Sequence, residues 1–575
     1  MLFRELKDPL LQEAVSGFSL QSLHPVSGDE SDRIMADLER KYQNHEIFRL
    51  FGTSGIRGIF KLITDKPVTA YQRENHISPK LAYFYGRAYG KMTLNHGMAP
   101  EVHVAMDPRG SGPAMAAALM TGLVEEGVSV KFSGVSSTPS GSFFPNSIIV
   151  TASHNPTEYN GIKAFINEIP ITYETEWEVE RYFRTLEILE ERGCFPGKAE
   201  TPGQVTDNSR DIYSLCLEHI RREAKKEGLL PDDDQGDYPL KGCCMPLDLA
   251  YGSVASRVEK ESVHLSSQIK GLLETGMVLV GYGTEQNPEK INYRIGAAYP
   301  YGETPEKMTE GELAAFAAGK YGYGQDRFTQ KAHYRSFYFP CLYKFHDSSL
   351  PEKGLKLDTG ETLFLEADRD PRLAEALERE LSRLKLLPAC SVDCDGDRFL
   401  ATDPELCRKP VPYLSGDSMI MLFALAMKDS LEEVVYTVES GLSIGKFLEA
   451  KHIDYQEVTV GDRAIADYLS EKGETGVSIG GEPSGHMMFR ETAGNKSRIV
   501  DDPIITQLRI LGIMRRANRH FGQLINEVQE EEVYTARKPE AWAGDRSGIT
   551  LWEKNRLELG TIKRVGGKKY LRLNE

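Results

Sequence analysis

Short apolar runs alternate along this chain with longer segments whose apolar positions recur at helical spacing. Val102-His103-Val104-Ala105-Met106 predicts a strand, Pro113 to Glu126 a helix, and Val128-Ser129-Val130-Lys131-Phe132 the next strand. Ser147-Ile148-Ile149-Val150 predicts a further strand, and the rhythm returns with a strand at Val434–Val438 and a helix from Ile444 to Ala450. Helix-length segments between strands predict parallel sheets of the α/β class, with ligands at the strand–loop junctions. The first fifty residues read as polar and helical, with Leu10-Leu11 and Ile34-Met35-Ala36-Asp37-Leu38 at helical spacing. The longest apolar stretch, Met419 to Met427, is about half a membrane span and predicts a buried helix. The rhythm breaks from about Tyr282 to Lys344, which is rich in Gly, Tyr and Phe. No basic stripe interleaves those aromatics, so an insertion packed on its host domain fits better than a base-stacking surface. His333 and His346 within it lack metal-ligand spacing.

Composition narrows the picture. A chain of 575 residues exceeds one core and divides into roughly three to five domains. The net charge of −16 argues against a general nucleic-acid surface, while leaving room for a local basic pocket that takes an anionic substrate. The eight cysteines are scattered without a Cys-x-x-Cys pair, so neither a disulfide framework nor a structural zinc site is expected, and the usage points to the cytosol. The charged start, Met1-Leu2-Phe3-Arg4-Glu5-Leu6-Lys7-Asp8, does not read as a signal peptide. A cytoplasmic protein without a membrane partner is the expectation.

Four loops carry candidate chemistry. Thr151-Ala152-Ser153-His154-Asn155-Pro156 places a serine directly after an apolar strand, with Lys163 ten residues on, beyond an expected Asn160-Gly161 turn. A serine held on a rigid scaffold beside a titratable partner is a candidate nucleophile. Asp393-Cys394-Asp395-Gly396-Asp397-Arg398 offers three alternate carboxylates that can converge on a hard cation. It is no EF-hand, because its glycine falls at loop position four and Pro404 stands where the twelfth-position Glu is required. Three side-chain oxygens suit Mg²⁺ shared with a phosphate. Gly480-Gly481-Glu482-Pro483-Ser484-Gly485-His486 can present carboxylate, hydroxyl and imidazole to sugar hydroxyls, although the same residues also make a generic turn. Phe51-Gly52-Thr53-Ser54-Gly55-Ile56-Arg57-Gly58 could cradle phosphate through backbone N–H groups and a guanidinium, although taken alone it reads more readily as a flexible surface turn. Asp107-Pro108-Arg109 adds an arginine that suits either a ligand or a structural pair with Asp107.

In this order the loops resemble the α-D-phosphohexomutase superfamily of phosphoglucomutases, phosphomannomutases and phosphoglucosamine mutases, over about residues 51 to 515. Val460-Gly461-Asp462-Arg463 is similar to the family segment preceding the sugar loop. The resemblance implies three mixed-sheet α/β domains around a cleft plus a shortened C-terminal α+β domain. The domains expected are 1–205 with the serine loop, 206–410 with the metal loop and an insertion at about 265–350, 411–516 with the sugar loop, and 517–575. It implies that Ser153 carries the phosphoryl group and that Asp393, Asp395 and Asp397 hold Mg²⁺ against the phosphoserine oxygens. Arg57, Lys163 and His154 would move protons and stabilise charge. Glu482, Ser484 and His486 would grip the sugar, with Arg398, Arg463 and Arg109 as lesser binding candidates. A hexose 1-phosphate of the mannose or glucose type would become a 1,6-bisphosphate, which also serves as activator, and leave as the 6-phosphate. The oligomeric expectation is a monomer or homodimer.

The sequence departs from the family in a longer stretch between Asp248 and Asp393, where the insertion falls, and near its last residues. An Arg-x-Ser-Gly-Thr-Glu-Pro-like loop, which grips the non-reacting phosphate, is not found. Arg546-Ser547-Gly548-Ile549-Thr550 lacks the Glu-Pro, and Arg572, in an expected hairpin of Gly560–Val565 and Lys568–Leu573, stands where that loop's first arginine would be. The chain then reaches Asn574-Glu575, so this grip is expected to be truncated, replaced or supplied by another chain. That would weaken substrate binding more than chemistry at Ser153. Glucosamine phosphate as substrate, a non-catalytic sugar-phosphate binder, and a phosphatase-like enzyme whose open site admits water are the alternatives.

Overall fold

The computed structural model describes residues 24–26, 30, 33–34, 36, 50–51, 55–62, 75–231, 238–259, 262–283, 285–292, 296–297, 341–343, 355–356, 362–364, 384–402, 414–471, 477–493, 496–529, 560–565 and 568–573. Two compact units, Met1–Leu215 and Cys216–Glu575, are separated by a boundary inside the helix Ser209–Lys226.

The first unit is built on strands β1 (Ile56–Phe60), β2 (His76–Ile77), β3 (Glu101–Met106), β4 (Ser129–Val135), β5 (Asn146–Val150), β6 (Tyr159–Ile166) and β7 (Val205–Asp207). They form one sheet in the order β7-β4-β3-β5-β6-β1-β2, with Ile169–Pro170 paired beside β6. Strands β7, β4, β3 and β5 run parallel, and β6 pairs antiparallel with both β5 and β1. Helices α1 (Pro79–Asn95), α2 (Gly112–Glu125) and α3 (Tyr173–Glu191) accompany this sheet. Ser78 starts α1 by accepting the Leu81 N–H at 3.2 Å, and Pro79 at the first turn gives up no needed donor. The core joins Leu81, Phe84 and Tyr85 of α1 to Val102, Val104, Ile148 and Val150 of the sheet and Phe183 of α3. Each such side chain contributes about 1.5–3 kcal/mol by leaving water.

Asn160-Gly161 is not a turn here, because both residues lie inside β6. A Cβ on Gly161 would meet the carbonyl oxygens of Ile56 and Thr151 at 2.4 Å each. The glycine is needed for close approach of β1 and the serine loop. Gly161→Ala is expected to destabilise this unit by about 3 kcal/mol, the upper range for overpacking against an unyielding backbone. Chemical denaturation checks this, and an unchanged midpoint would contradict the close-packing account.

The second unit contains two described sheets that bear on function. Strands β8 (Cys243–Asp248), β9 (Val278–Tyr282), β10 (Ala389–Val392) and β11 (Phe399–Thr402) are ordered β9-β8-β10-β11, with Lys385–Leu386 also on β8. Only the β10–β11 pair among these is antiparallel. The other sheet has β12 (Leu431–Thr437), β13 (Tyr455–Val458), β14 (Val477–Gly481), β15 (Met487–Ala493) and β16 (Lys496–Asp501) in the order β13-β12-β14-β15-β16. Its core includes Met419 and Phe423 from the helix Gly416–Ala426, Leu508 from Pro503–Ala517 and Phe521 from Phe521–Gln529, packed with Val434, Ile479 and Phe489. The apolar stretch at Met419 is therefore a buried helix, as its pattern predicts. Asp502 caps Pro503–Ala517 by accepting the N–H groups of Ile504 and Ile505 at 2.8 and 3.3 Å.

The expected C-terminal hairpin is present as antiparallel strands Gly560–Val565 and Lys568–Leu573, in which Arg572 pairs with Thr561. In the first fifty residues, His24–Val26 is a strand parallel to Cys194–Pro196 rather than helix. Leu10-Leu11, most of the aromatic-rich insertion with His333 and His346, and Arg546–Thr550 lie outside the described residues. Among the described residues no helix is long and apolar enough to cross a membrane.

Candidate active site

The serine loop owes its position to the sheet. Met106 and Val150 are register partners on the parallel strands β3 and β5, so the loops leaving their carboxyl ends are neighbours. The Asp107 N–H donates to Val150 O at 3.0 Å. Thr151 Oγ1 donates to Asp107 Oδ2 at 2.7 Å and accepts the Ser153 N–H at 2.8 Å. Ser153 is buried, and its φ of +51° lies in the left-handed region that a residue with a Cβ seldom enters. Its Oγ is 3.2 Å from His154 Nδ1. A capping or turn serine requires none of this bracing.

Two further cationic side chains belong to the same unit. Arg57, on β1 opposite Gly161, brings Nη1 to 3.5 Å from Asn155 Oδ1. Lys163 is buried on β6, opposite Ile149 of β5. Gly52, Thr53 and Ser54 of the loop before Arg57 lie outside the described residues.

Of the two uses the sequence left open for Arg109, the structure shows the pair with Asp107. Arg109 is buried, and all five guanidinium N–H donors are used within the protein. Nε donates to Asp107 Oδ2 at 2.9 Å, and Nη2 donates to the carbonyls of Ser153 and Asn155 at 2.7 Å each. Nη1 donates to Tyr159 O at 3.1 Å and to Pro156 O. With every donor committed, it braces the serine loop and has none left for a substrate.

In the second unit, Asp393–Arg398 is the turn between β10 and β11. Gly396, at φ +70°, supplies the left-handed residue this tight reversal needs. Asp393 Oδ1 accepts the N–H groups of Asp397 and Arg398 at 3.2 Å each, and the Cys394 N–H donates to Asn292 Oδ1 at 3.1 Å. One carboxylate oxygen each from Asp393, Asp395 and Asp397 gathers within 4.8 Å of the others, and all three residues are buried. Buried hard-oxygen donors with coordination positions to spare fit Mg²⁺. Arg398 Nε stands 4.0 Å from Asp393 Oδ2.

The sugar-loop candidate is tied to this turn, since the Phe399 N–H of β11 donates to Gly485 O at 3.0 Å. Ser484 Oγ donates to Glu482 Oε1. His486 Nε2 is 3.8 Å from Glu482 Oε1 and 3.9 Å from Asp397 Oδ1, while Nδ1 is 3.0 Å from Asp501 Oδ2. Burial opposes a charge on His486, but the carboxylates of Asp397 and Asp501 outweigh it and raise its pKa to about 10. His486 thus joins the metal loop to the sugar loop as a cation among carboxylates.

Two acidic residues at this hub were not among the site residues the sequence suggested, although Asp462 lies in the segment that resembles the family before the sugar loop. Asp462 gathers with Asp397 and His486 within the same 4.8 Å limit, and Asp501 orients the imidazole. Asp462 begins the helix Asp462–Glu471, with Arg463 buried beside it. Its place after Gly461 was the available signal; Asp501, at the end of β16, gave none.

Known proteins resemble this chain in sequence and in fold. The family profile "Phosphoglucomutase/phosphomannomutase, alpha/beta/alpha domain I" matches residues 49–189, and the corresponding domain III profile matches residues 415–531. A phosphoglucosamine mutase of Thermotoga sp. (strain RQ2) is 25% identical over 496 residues, covering 84% of this chain and 83% of the relative. Another, of Thermoanaerobacter sp. (strain X514), is 26% identical over 493 residues, covering 83% and 80%. The crystal structure of a phosphoglucomutase/phosphomannomutase family protein from Burkholderia thailandensis has the same fold, with a TM-score of 0.52 at 18% identity, covering 83% of this chain and 79% of its own. The fold, the ordered domain matches and the relatives define an intramolecular phosphotransferase of the mutase type. The two domain profiles, the relatives and the shared fold together support the α-D-phosphohexomutase superfamily for this chain.

Proposed function

We infer that this chain interconverts the 1- and 6-phosphates of a hexose through a phosphoserine at Ser153. The observation that carries the reading is the construction around Ser153: a buried, left-handed serine beside His154, with both faces of its peptide fixed by Asp107, Thr151 and Arg109. A phosphoryl group would pass from Ser153 Oγ to the free hydroxyl of a hexose 1-phosphate, giving the 1,6-bisphosphate. After the sugar reorients, the 1-phosphoryl returns to Ser153 and the 6-phosphate leaves. Each transfer breaks one phosphorus–oxygen bond and makes another, and one proton passes from the incoming hydroxyl to the departing oxygen.

His154, with Nδ1 3.2 Å from Ser153 Oγ, is placed to hold that proton at the serine. Arg57 and Lys163 supply positive charge for a phosphoryl group in transit. Asp393, Asp395 and Asp397 would hold Mg²⁺, which when bound offsets negative charge on the transferring group. Glu482, Ser484 and His486 would bind sugar hydroxyls, with Arg398 and Arg463 supporting them. The oxygen-only donor set of the metal loop supports Mg²⁺ over a soft metal.

Glucosamine phosphate, rather than mannose or glucose phosphate, is the substrate the present observations favour. The relatives reported above bear that name, and Glu482 brings a buried carboxylate to the sugar loop. A buried carboxylate there favours an ammonium over a neutral hydroxyl. Assayed side by side, glucosamine 1-phosphate is expected to exceed mannose and glucose 1-phosphates in kcat/KM by about tenfold, the effect of roughly one favourable charge contact. Equal or reversed values would return the assignment to the neutral sugars.

A further inference from the structure

Four of the five bonds of Arg109 converge on one segment, and the fifth goes to Asp107. The acceptors are the carbonyls of Ser153, Asn155, Pro156 and Tyr159 and the carboxylate of Asp107. A planar peptide directs its N–H opposite to its C=O. Drawing the Ser153 carbonyl onto Arg109 therefore turns the His154 N–H to the other side of the loop, and drawing in the Pro156 carbonyl does the same for Thr157. Asp107 closes the circuit, because it accepts from Arg109 and also from Thr151 Oγ1, which in turn holds the Ser153 N–H. The peptide N–H before Ser153 and the carbonyl after it are thus both tied back to one buried ion pair, Asp107–Arg109.

We propose that Arg109 is the positioning residue that presets the Ser153 loop for phosphoryl transfer. It collects the loop's carbonyl oxygens on the inner side, directs the His154 and Thr157 N–H groups outward, and maintains Ser153 in its left-handed conformation. This rests on the reading of Ser153 as the phosphoryl carrier. Electrostatics gives the arrangement its purpose. Carbonyl oxygens facing a phosphoryl dianion repel it, whereas N–H groups facing it attract it. Arg109 itself touches no substrate; it acts through the backbone of the loop.

Lysine at position 109 keeps the charge but offers one nitrogen and no planar fork, so it cannot serve five acceptors. Arg109→Lys is expected to lower kcat about 100-fold, the cost of a misplaced nucleophile, while KM for the hexose 1-phosphate changes less than about threefold. Phosphorylation of the full chain by hexose 1,6-bisphosphate, followed by intact mass, should slow in parallel. The phosphoserine resonance in the phosphorus NMR spectrum should shift from its wild-type position. Thr151→Val removes the link between Asp107 and the Ser153 N–H without removing any guanidinium bond; it leaves that buried N–H unpaired, so it should lower the melting temperature by a few degrees and kcat about tenfold in a protein that still folds.

Wild-type labelling that is absent from Ser153→Ala establishes the reading on which the proposal rests. Labelling of neither protein overturns both. If the wild type is labelled and Arg109→Lys turns over at the wild-type rate, the positioning role alone is overturned. Should Arg109→Lys fail to fold, Thr151→Val decides: full kcat with an unshifted phosphoserine resonance overturns the role, and a loss of kcat at constant KM upholds it.

Discussion

Replacing Ser153 with alanine is expected to abolish both phosphoenzyme formation and turnover, with kcat falling by at least about 10⁴-fold. The substitution deletes one oxygen and leaves the bracing intact. The bonds from Thr151 and Arg109 to position 153 engage its backbone N–H and carbonyl, not its side chain. The β5–β6 pairing beneath the loop is likewise untouched. Melting temperature should therefore stay close to wild type, so lost activity reports chemistry rather than unfolding. Threonine is the more discriminating replacement, because it keeps a hydroxyl but adds a methyl where φ is already +51°. It should misplace the oxygen and lose most of the rate. A Ser153→Ala protein that retains a tenth of wild-type turnover would show that the phosphoryl group travels by another path.

The second large effect concerns the metal loop. Asp395→Asn is expected to cost about 10³-fold in kcat and to weaken Mg²⁺ binding by at least about tenfold in calorimetric titration. Asp395 is the better probe of the three. Asp393 also holds the turn together by accepting the Asp397 and Arg398 N–H groups, so changing it confounds ligation with folding. Asp397 is engaged with His486 of the sugar loop as well. Chelation should abolish activity reversibly. Mg²⁺ should restore it better than Ca²⁺, whose larger coordination number suits three compact carboxylates less well. Undiminished Mg²⁺ binding by Asp395→Asn would remove this turn from consideration as the cation site.

Local patterns in the sequence located much of this correctly. Alternating apolar runs predicted β3, the helix that follows it, β5 and the helix at Leu442–Ala450, because burial against a sheet imposes its period on neighbouring residues. The metal turn was legible because three aspartates and a glycine within six residues carry their own geometry. What sequence could not supply was register. Asn160-Gly161 has the composition of a turn, yet pairing with Gly58 and Arg57 of β1 makes it strand, and that pairing joins residues about a hundred positions apart. The use of Arg109 was left open for the same reason. Its acceptors at 153 to 159 come within reach only because β3 and β5 are adjacent in the sheet. Asp501 was invisible for a third reason: its importance is an imidazole fifteen residues away across a hairpin.

The central claim is that phosphate moves within the sugar by way of a covalent enzyme intermediate. Phosphorus NMR tests it directly, on the full chain supplied with Mg²⁺, a hexose 1-phosphate and a catalytic amount of the matching 1,6-bisphosphate. The account predicts that the 1-phosphate resonance is replaced by that of the 6-phosphate, with inorganic phosphate remaining at background. Accumulation of inorganic phosphate would make water the acceptor and the protein a phosphatase. An unchanged 1-phosphate resonance, with none of the three hexose 1-phosphates converted, would contradict catalysis altogether.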